Sequence, residues 1–311
     1  MNLGSRIFIA GHKGLVGSSI LQYLKRKKFK KIFIIEKKKL DLRNQSKVLN
    51  YFKKNKFDYV INCSGKVGGI YANNKYKADF IYDNISMQNN IIYSSYLTKV
   101  KSLIFLGSSC IYPKNSKIPM KETDLLSGKL EETNEPYAIA KIAGIKMCES
   151  FNYQYNTNFK CLMPCNLYGP NDNYDLTTSH FLPALIKKIY GAKIKNKKKV
   201  IIWGSGKPLR EIMYVEDLAD ACLFFLKKKT KHSLINIGSG EERSIYEYAK
   251  IIAKKINYTG TFEFDKSKPD GMKRKLVDSS LATSYGWKSK ILLELGLSKT
   301  IKHFIEKEYK N

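Results

Sequence analysis

Three glycines spaced three residues apart, in Gly11-His12-Lys13-Gly14-Leu15-Val16-Gly17, stand between a short apolar run and an amphipathic stretch. Arg6-Ile7-Phe8-Ile9-Ala10 reads as a buried strand, and Ile20, Leu21 and Leu24 carry a helical apolar spacing up to the basic residues 25–31. Glycines at such a junction permit a tight turn, close backbone approach and exposure of the helix N-terminus to a diphosphate. A Gly-rich match alone is weak, but here residues 31–35 read as a second strand and complete a βαβ unit. A chain that opens this way is committed to a parallel sheet.

The alternation continues. Residues 48–53 look helical, and Asp58-Tyr59-Val60-Ile61-Asn62-Cys63 is the next apolar strand. Residues 78–98 form a long helix, residues 102–106 a strand ending at Gly107-Ser108, and residues 137–155 another helix. Residues 160–163 lead to a strand end at Pro164-Cys165-Asn166-Leu167-Tyr168-Gly169-Pro170. The pattern predicts an α/β fold, a Rossmann-like doubly wound parallel sheet with ligands at the carboxyl ends of its strands. After Pro170 the rhythm changes: helix 181–189, strand 200–203, an extended 210–217 leading into helix 218–227, strand 234–238 and helix 245–256. Strand 262–264, a loop at 268–275 and a last helix near 297–307 follow. The economical division is a dinucleotide-binding domain of residues 1–170 with returning segments near 211–240, and a smaller mixed α/β C-terminal substrate domain of residues 171–210 and 241–311.

Chemistry concentrates at two strand ends. Tyr137 and Lys141, at i and i+4, share one helix face, so the ammonium can lie beside the phenol. A free phenol has a pKa near ~10, and a nearby positive charge lowers it. Ser108, on another segment, can donate a hydrogen bond to a substrate oxygen, and Cys110 two residues on adds a thiol to this carbonyl-directed set.

The 311 residues suffice for a large α/β domain or a two-domain enzyme. No apolar run is long enough to span a bilayer and the N-terminus lacks an apolar signal region, so the expectation is a soluble, cytoplasmic protein without a membrane partner. Six scattered cysteines without paired metal spacing argue for reduced, mostly buried thiols and no metal. The net charge of +29 comes mostly from lysine clusters. Without a stacking motif, helix-turn-helix or zinc knuckle it reads as solvated helix ends and loops rather than a nucleic-acid surface. A positive field still favours capture of anionic nucleotides.

Together these residues resemble the extended short-chain dehydrogenase/reductase superfamily and, more narrowly, the GDP-L-fucose synthase family of 3,5-epimerase-4-reductases. The resemblance covers essentially the whole chain. It is carried by Ile9-Ala10-Gly11-His12-Lys13-Gly14, Lys66-Val67-Gly68-Gly69-Ile70, residues 105–113, residues 133–145, residues 166–170, Trp203-Gly204-Ser205-Gly206 and residues 268–276. Tyr-x-x-x-Lys alone establishes only the superfamily, whereas Ser-Ser-Cys-Ile-Tyr-Pro and Asn-Glu-Pro-Tyr-Ala-Ile-Ala-Lys are far narrower.

The resemblance implies inversion at C3 and C5 of GDP-4-keto-6-deoxy-D-mannose, followed by reduction at C4 to GDP-L-fucose. Cys110 matches the family's base and His180 its acid, while Ser108, Tyr137 and Lys141 serve both the enolate and the reduction. NADPH is the implied cofactor, ahead of NADH. It would be held by Gly11, His12, Lys13, Gly14, Leu15, Val16 and Gly17, by Leu106, Gly107, Ser108 and Ser109, by Pro164, Cys165, Asn166 and Leu167, and by Lys141 and His180. Lys13 and Lys37 match positions where relatives carry Arg for the 2′-phosphate, whereas Glu36 points toward NAD; Asp41 is expected near the adenine. His12 reads as a turn or phosphate neighbour and Cys165 as packing near the cofactor. Lys188, Trp203, Arg210, Asp270 and Lys275 match the GDP-sugar positions: Trp203 against the guanine, Asp270 accepting from its ring N–H groups, and the three cations on the diphosphate. A homodimer through helices 78–98 and 137–155 is implied as well. Two alternatives stay open: the same chemistry on another GDP-4-keto-deoxy sugar, dideoxy or heptose, and, remotely, a non-catalytic RNA-binding or structural protein. His232 and His303 read as surface residues.

Overall fold

A computed structural model describes residues 1–268 and 270–309. The chain begins β1 (Arg6–Ala10), α1 (Leu15–Arg26), β2 (Lys31–Phe33), α2 (Gln45–Asn55), β3 (Tyr59–Asn62), α3 (Ile70–Lys75), α4 (Lys77–Leu97) and β4 (Ser102–Leu106). Next come α5 (Glu135–Tyr155), β5 (Phe159–Pro164), β6 (Asn166–Tyr168), α6 (Phe181–Ile194), β7 (Lys199–Trp203), β8 (Leu209–Tyr214), α7 (Val215–Lys227) and β9 (Leu234–Ile237). The rest is β10 (Glu242–Ser244), α8 (Ile245–Ile256), β11 (Thr261–Asp265), β12 (Arg274–Lys275), α9 (Ser280–Ser284) and α10 (Leu293–His303), continued by a wider π-type turn over Phe304–Tyr309.

Six strands form one parallel sheet in the order β2-β1-β3-β4-β5-β9. Residues of β1, β3, β4 and β5 are almost entirely buried, as strands covered on both faces must be, which is why they read as mostly apolar runs, Lys160 in β5 being the charged exception inside one. The strand order reverses between β1 and β3, the position where open α/β sheets bind ligands. Register carries the carboxyl ends to one edge, with Ala10 opposite Asn62, Asn62 opposite Phe105 and Pro164 opposite Ile237.

A second group of strands centres on β8, which pairs antiparallel with β10 and parallel with β12 and β6. β7 and β11 form a separate parallel pair. Buried apolar side chains fall into two clusters, one around the six-stranded sheet and one joining α6, α8 and α10 to β7 and β8. α8 starts where the sequence placed it because Ser244 and Glu247 cap it reciprocally, at 3.1 Å and 2.7 Å.

Some boundaries move. β2 stops at Phe33, two residues short of the expected strand. α7 begins at Val215 rather than 218, its first turn holding Glu216 and Asp217 where the helix dipole favours acids. The final helix starts at Leu293, four residues early. The expected loop 268–275 ends in the two-residue strand β12, while Pro269 lies outside the described residues. His303 is half-buried rather than on the surface, whereas His232 is exposed beside the Tyr285 hydroxyl at 2.8 Å.

Candidate active site

The glycine turn is shaped by contacts that forbid side chains. Gly11 has φ +81°, and a Cβ there would lie 2.8 Å from the Cys63 carbonyl. A Cβ on Gly17 would lie 2.2 Å from the Gly11 oxygen, so helix α1 packs directly on the turn. Gly14 caps α1 without a side-chain bond, so no cap side chain occupies the first-turn N–H groups. Such a bare cradle fits a diphosphate. Lys13 lies 2.9 Å from Glu36, so the acid that argued for NAD is paired with a cation that argued for NADP. Burial and the Lys13 charge lower the pKa of His12. Lys37 is exposed, and its charge helps hold down the neighbouring Asp41. Asp41 faces a cation that sequence reasoning passed over: Arg43 grips it through Nε at 3.1 Å and Nη2 at 2.7 Å, and reaches Asp83 at 2.8 Å. The pairing brings the Asp41 carboxyl down to about 2.

At the end of β4 the chain closes a short 3-10 turn over Ser109–Ile111, with Ile111 N–H donating to the Ser108 carbonyl at 3.2 Å. The turn buries Cys110 to 8% exposure. Burial pushes the Cys110 thiol up, while Lys275, a hydrogen bond from Ser108 and the Lys141 charge pull it back. Tyr137 and Lys141 occupy the first two turns of α5, which starts with Glu135 and Pro136. The Lys141 amine is 4% exposed, donates to the Leu106 carbonyl at 2.9 Å and stands 5.8 Å from the centre of the Tyr137 ring. Burial lowers Lys141 to about 8 and raises Tyr137, with Cys110 adding to the Tyr137 shift. Phe80 of α4 braces the phenol edge-on at 6.1 Å.

His180 caps α6 and is solvent-exposed as a residue, while protein packs its imidazole closely enough for desolvation to act on it. Burial and the Lys275 charge lower its pKa. The Lys275 charge thus acts on both Cys110 and His180, and β12 pairs Lys275 opposite Arg210. Leu106, Gly107 and Ser109 flank Ser108, and Pro164, Cys165, Asn166 and Leu167 follow β5 at the same edge. Cys165 is 6% exposed, its thiol raised by burial and by Glu211.

Farther out, the Lys188 amine lies 4.7 Å from the centre of the Trp203 ring and donates to the Ile201 carbonyl at 3.1 Å. Trp203 is 48% exposed, with the Lys268 amine also over its ring at 5.6 Å. Arg210 donates to the carbonyls of Leu209 at 2.9 Å and Asp270 at 3.2 Å. The Asp270 carboxylate accepts from Ser205 N–H at 2.6 Å and Ser205 Oγ at 2.7 Å, a partner the sequence did not announce. The structure thus brings Ser108, Cys110, Tyr137, Lys141, His180 and Lys275 within mutual electrostatic reach, with Arg210 joining Lys275 to the Trp203 and Asp270 group.

The sequence matches the NAD dependent epimerase/dehydratase family over residues 7–238. The chain belongs to that family. Among members of this epimerase/dehydratase family, GDP-L-fucose synthase of Sinorhizobium fredii is 49% identical, covering 97% of this chain and 96% of its own. The solved GDP-L-fucose synthetase of Naegleria fowleri bound to NADP superimposes with a TM-score of 0.91 at 30% identity, over 99% and 95% of the two chains. MlghC, a GDP-mannoheptose C4 reductase of Campylobacter jejuni with NADP bound, gives 0.90 at 38% identity over 98% and 99%. Among the described residues no helix is long and apolar enough to cross a membrane, and no group of three or more His, Cys, Asp or Glu is placed to hold a metal ion.

Proposed function

We propose that this protein converts GDP-4-keto-6-deoxy-D-mannose to GDP-L-fucose, inverting C3 and C5 and reducing C4. One observation carries the reading: a thiol, an imidazole, a phenol and two lysines converge at one sheet edge, in a chain 49% identical over nearly its full length to a GDP-L-fucose synthase. NADPH fits the side-chain-free cradle of Gly11, Gly14 and Gly17, with Lys13 and Lys37 toward its adenosine phosphate, and when bound it supplies the hydride for C4.

The protein's own groups do the rest. Cys110, as thiolate, takes the proton α to the ketone; the C–H electron pair moves into an enolate whose oxygen is held by Ser108 and Tyr137. Lys275, Ser108 and Lys141 each favour that thiolate against the cost of burial. His180 returns a proton to the opposite face, so each inversion exchanges a proton without net redox change. Desolvation and Lys275 favour the neutral form of His180 in the ligand-free site. It takes up its proton in the complex, where diphosphate charge opposes Lys275. Tyr137, held protonated by burial, delivers its proton to the C4 oxygen as reduction occurs. A prepositioned donor to such an oxyanion contributes about 3–4 kcal/mol.

The proposal includes a cofactor part of residues 1–170 with returning segments near 211–240, and a GDP-sugar part of residues 171–210 and 241–311 holding Lys188, Trp203, Arg210 and Asp270; the two buried clusters favour this division in the main, although Val277, Ala282 and Trp287 pack with the first and Ile212 and Tyr214 with the second. The proposal includes a soluble, cytoplasmic homodimer built on α4 and α5. Incubation with GDP-4-keto-6-deoxy-mannose and NADPH tests the function: NADPH oxidation with GDP-L-fucose as product is expected. Absence of oxidation at high enzyme, with turnover of a GDP-keto-heptose instead, would move the assignment to the chemistry named for MlghC.

A further inference from the structure

The strap between β3 and α3, Lys66-Val67-Gly68-Gly69, supplies no reacting group, yet it ties the two sides of the cleft together. Gly69 N–H donates to the Thr178 carbonyl at 2.9 Å, two residues before His180. A Cβ on Gly69 would lie 2.9 Å from the Ser179 oxygen, so the two backbones are in direct contact. Beneath the strap, Asn73 is 6% exposed and its amide nitrogen donates to the carbonyls of Gly68 at 2.6 Å and Gly69 at 3.1 Å. Both partners are acceptors, so only the NH2 end of the side chain can face them.

The loop ahead of His180 has ample internal order. Asp175 accepts from the N–H groups of Thr177 and Thr178, each at 3.0 Å, and Asn173 donates to Thr178 Oγ1 at 2.9 Å. Those bonds set the loop's own shape and not its distance from the sheet. Asn171 donating to Ser18 at 3.2 Å anchors the far end of the loop. The anchor nearest His180 is the Gly69–Thr178 bond.

We infer that Asn73 is a positioning residue for His180, acting through the Gly68–Gly69 backbone to fix where the imidazole stands over the sugar ring. The inference rests on the function proposed above. It separates the two chemistries by directness: the His180 loop bonds the strap itself through Gly69, whereas Tyr137 sits on α5 and meets the strap only through Phe80, which lies beside Gly68.

Full-length Asn73→Ala and Gly69→Ala proteins, assayed with GDP-4-keto-6-deoxy-mannose and NADPH in D2O, test it. In each variant the ratio of un-epimerised to epimerised reduced sugar is expected to rise about 10- to 100-fold, the loss that follows a displacement of about 1 Å in a reacting group. NADPH affinity should stay within about twofold of wild type. If Asn73→Ala does not fold, Gly69→Ala perturbs the same contact from the other side and carries the test. An unchanged ratio in a turning-over variant, or equal losses of solvent exchange and hydride transfer, overturns the inference. A wild-type protein inert toward this substrate instead refutes the functional proposal.

Discussion

Gly17→Ala probes the cradle directly. The added Cβ would stand 2.2 Å from the Gly11 oxygen, 2.7 Å from its carbonyl carbon and 2.8 Å from the His12 Cα, all backbone atoms that cannot rotate away. Non-bonded heavy atoms settle near roughly 3.5 Å, so helix α1 and the turn must part by about 1 Å. That gap carries first-turn N–H groups away from a bound diphosphate, and one lost charge-assisted bond is worth about 1.5–3 kcal/mol. NADPH Kd should therefore rise about 10- to 100-fold in a fluorescence titration. Overpacking costs folding stability about 1–3 kcal/mol, which a protein with a total of about 5–15 kcal/mol survives. Gly191→Ala is the matched control: its Cβ meets nothing within 4 Å inside α6, so stability should rise by about 0.5–1 kcal/mol with Kd unchanged. Wild-type NADPH affinity in a folded Gly17→Ala protein would refute the assignment of this turn.

Glu36→Gln frees Lys13 from its ion pair and should lower the KM for NADPH about two- to fivefold without changing that for NADH, measured by steady-state kinetics. Tyr137→Phe should slow C4 reduction about 10²- to 10⁴-fold while solvent exchange at C3 and C5 continues, read by mass spectrometry of the sugar. Lys160 is 1% exposed in β5, its amine donates to Asn158 at 2.6 Å, and burial lowers it to about 8. Its folded value lies below its unfolded one of about 10.4, so the unfolded chain binds more protons between them and stability rises as pH climbs through that window. Lys160→Met should stabilise the protein by about 2–3 kcal/mol at neutral pH and abolish the rise, a comparison that denaturant melts at pH 7 and pH 10 decide.

The glycine turn, the buried strands and the Tyr137/Lys141 pair were legible because each depends on local spacing. Residues 7–10, 59–61 and 103–106 are apolar without interruption, and a sheet covered on both faces demands that. Lys275 was legible as a cation but not as a neighbour of Cys110, since a two-residue strand has no periodicity to reveal its pairing with β8. Asn73 and Asn84 belong to no sequence motif that marks a buried role, yet both are buried against backbone, Asn84 donating to the Lys66 carbonyl at 3.0 Å. The Asp41-Leu42-Arg43 spacing held a signal for the Arg43 fork, which matters because it takes up the carboxylate expected to face the adenine. Sequence placed Asp270 on the guanine, while geometry shows its carboxylate first bound by Ser205, a contact made across 65 residues that no local pattern encodes.

The most direct measurement is deuterium incorporation from D2O during turnover of GDP-4-keto-6-deoxy-mannose by wild type and by Cys110→Ser. The wild-type product should carry solvent deuterium at both C3 and C5 with one NADPH oxidised per molecule, and Cys110→Ser should bind NADPH normally yet leave both carbons unlabelled. Labelling by Cys110→Ser at the wild-type rate, or a wild-type product free of deuterium, would contradict the assignment of this thiol as the base.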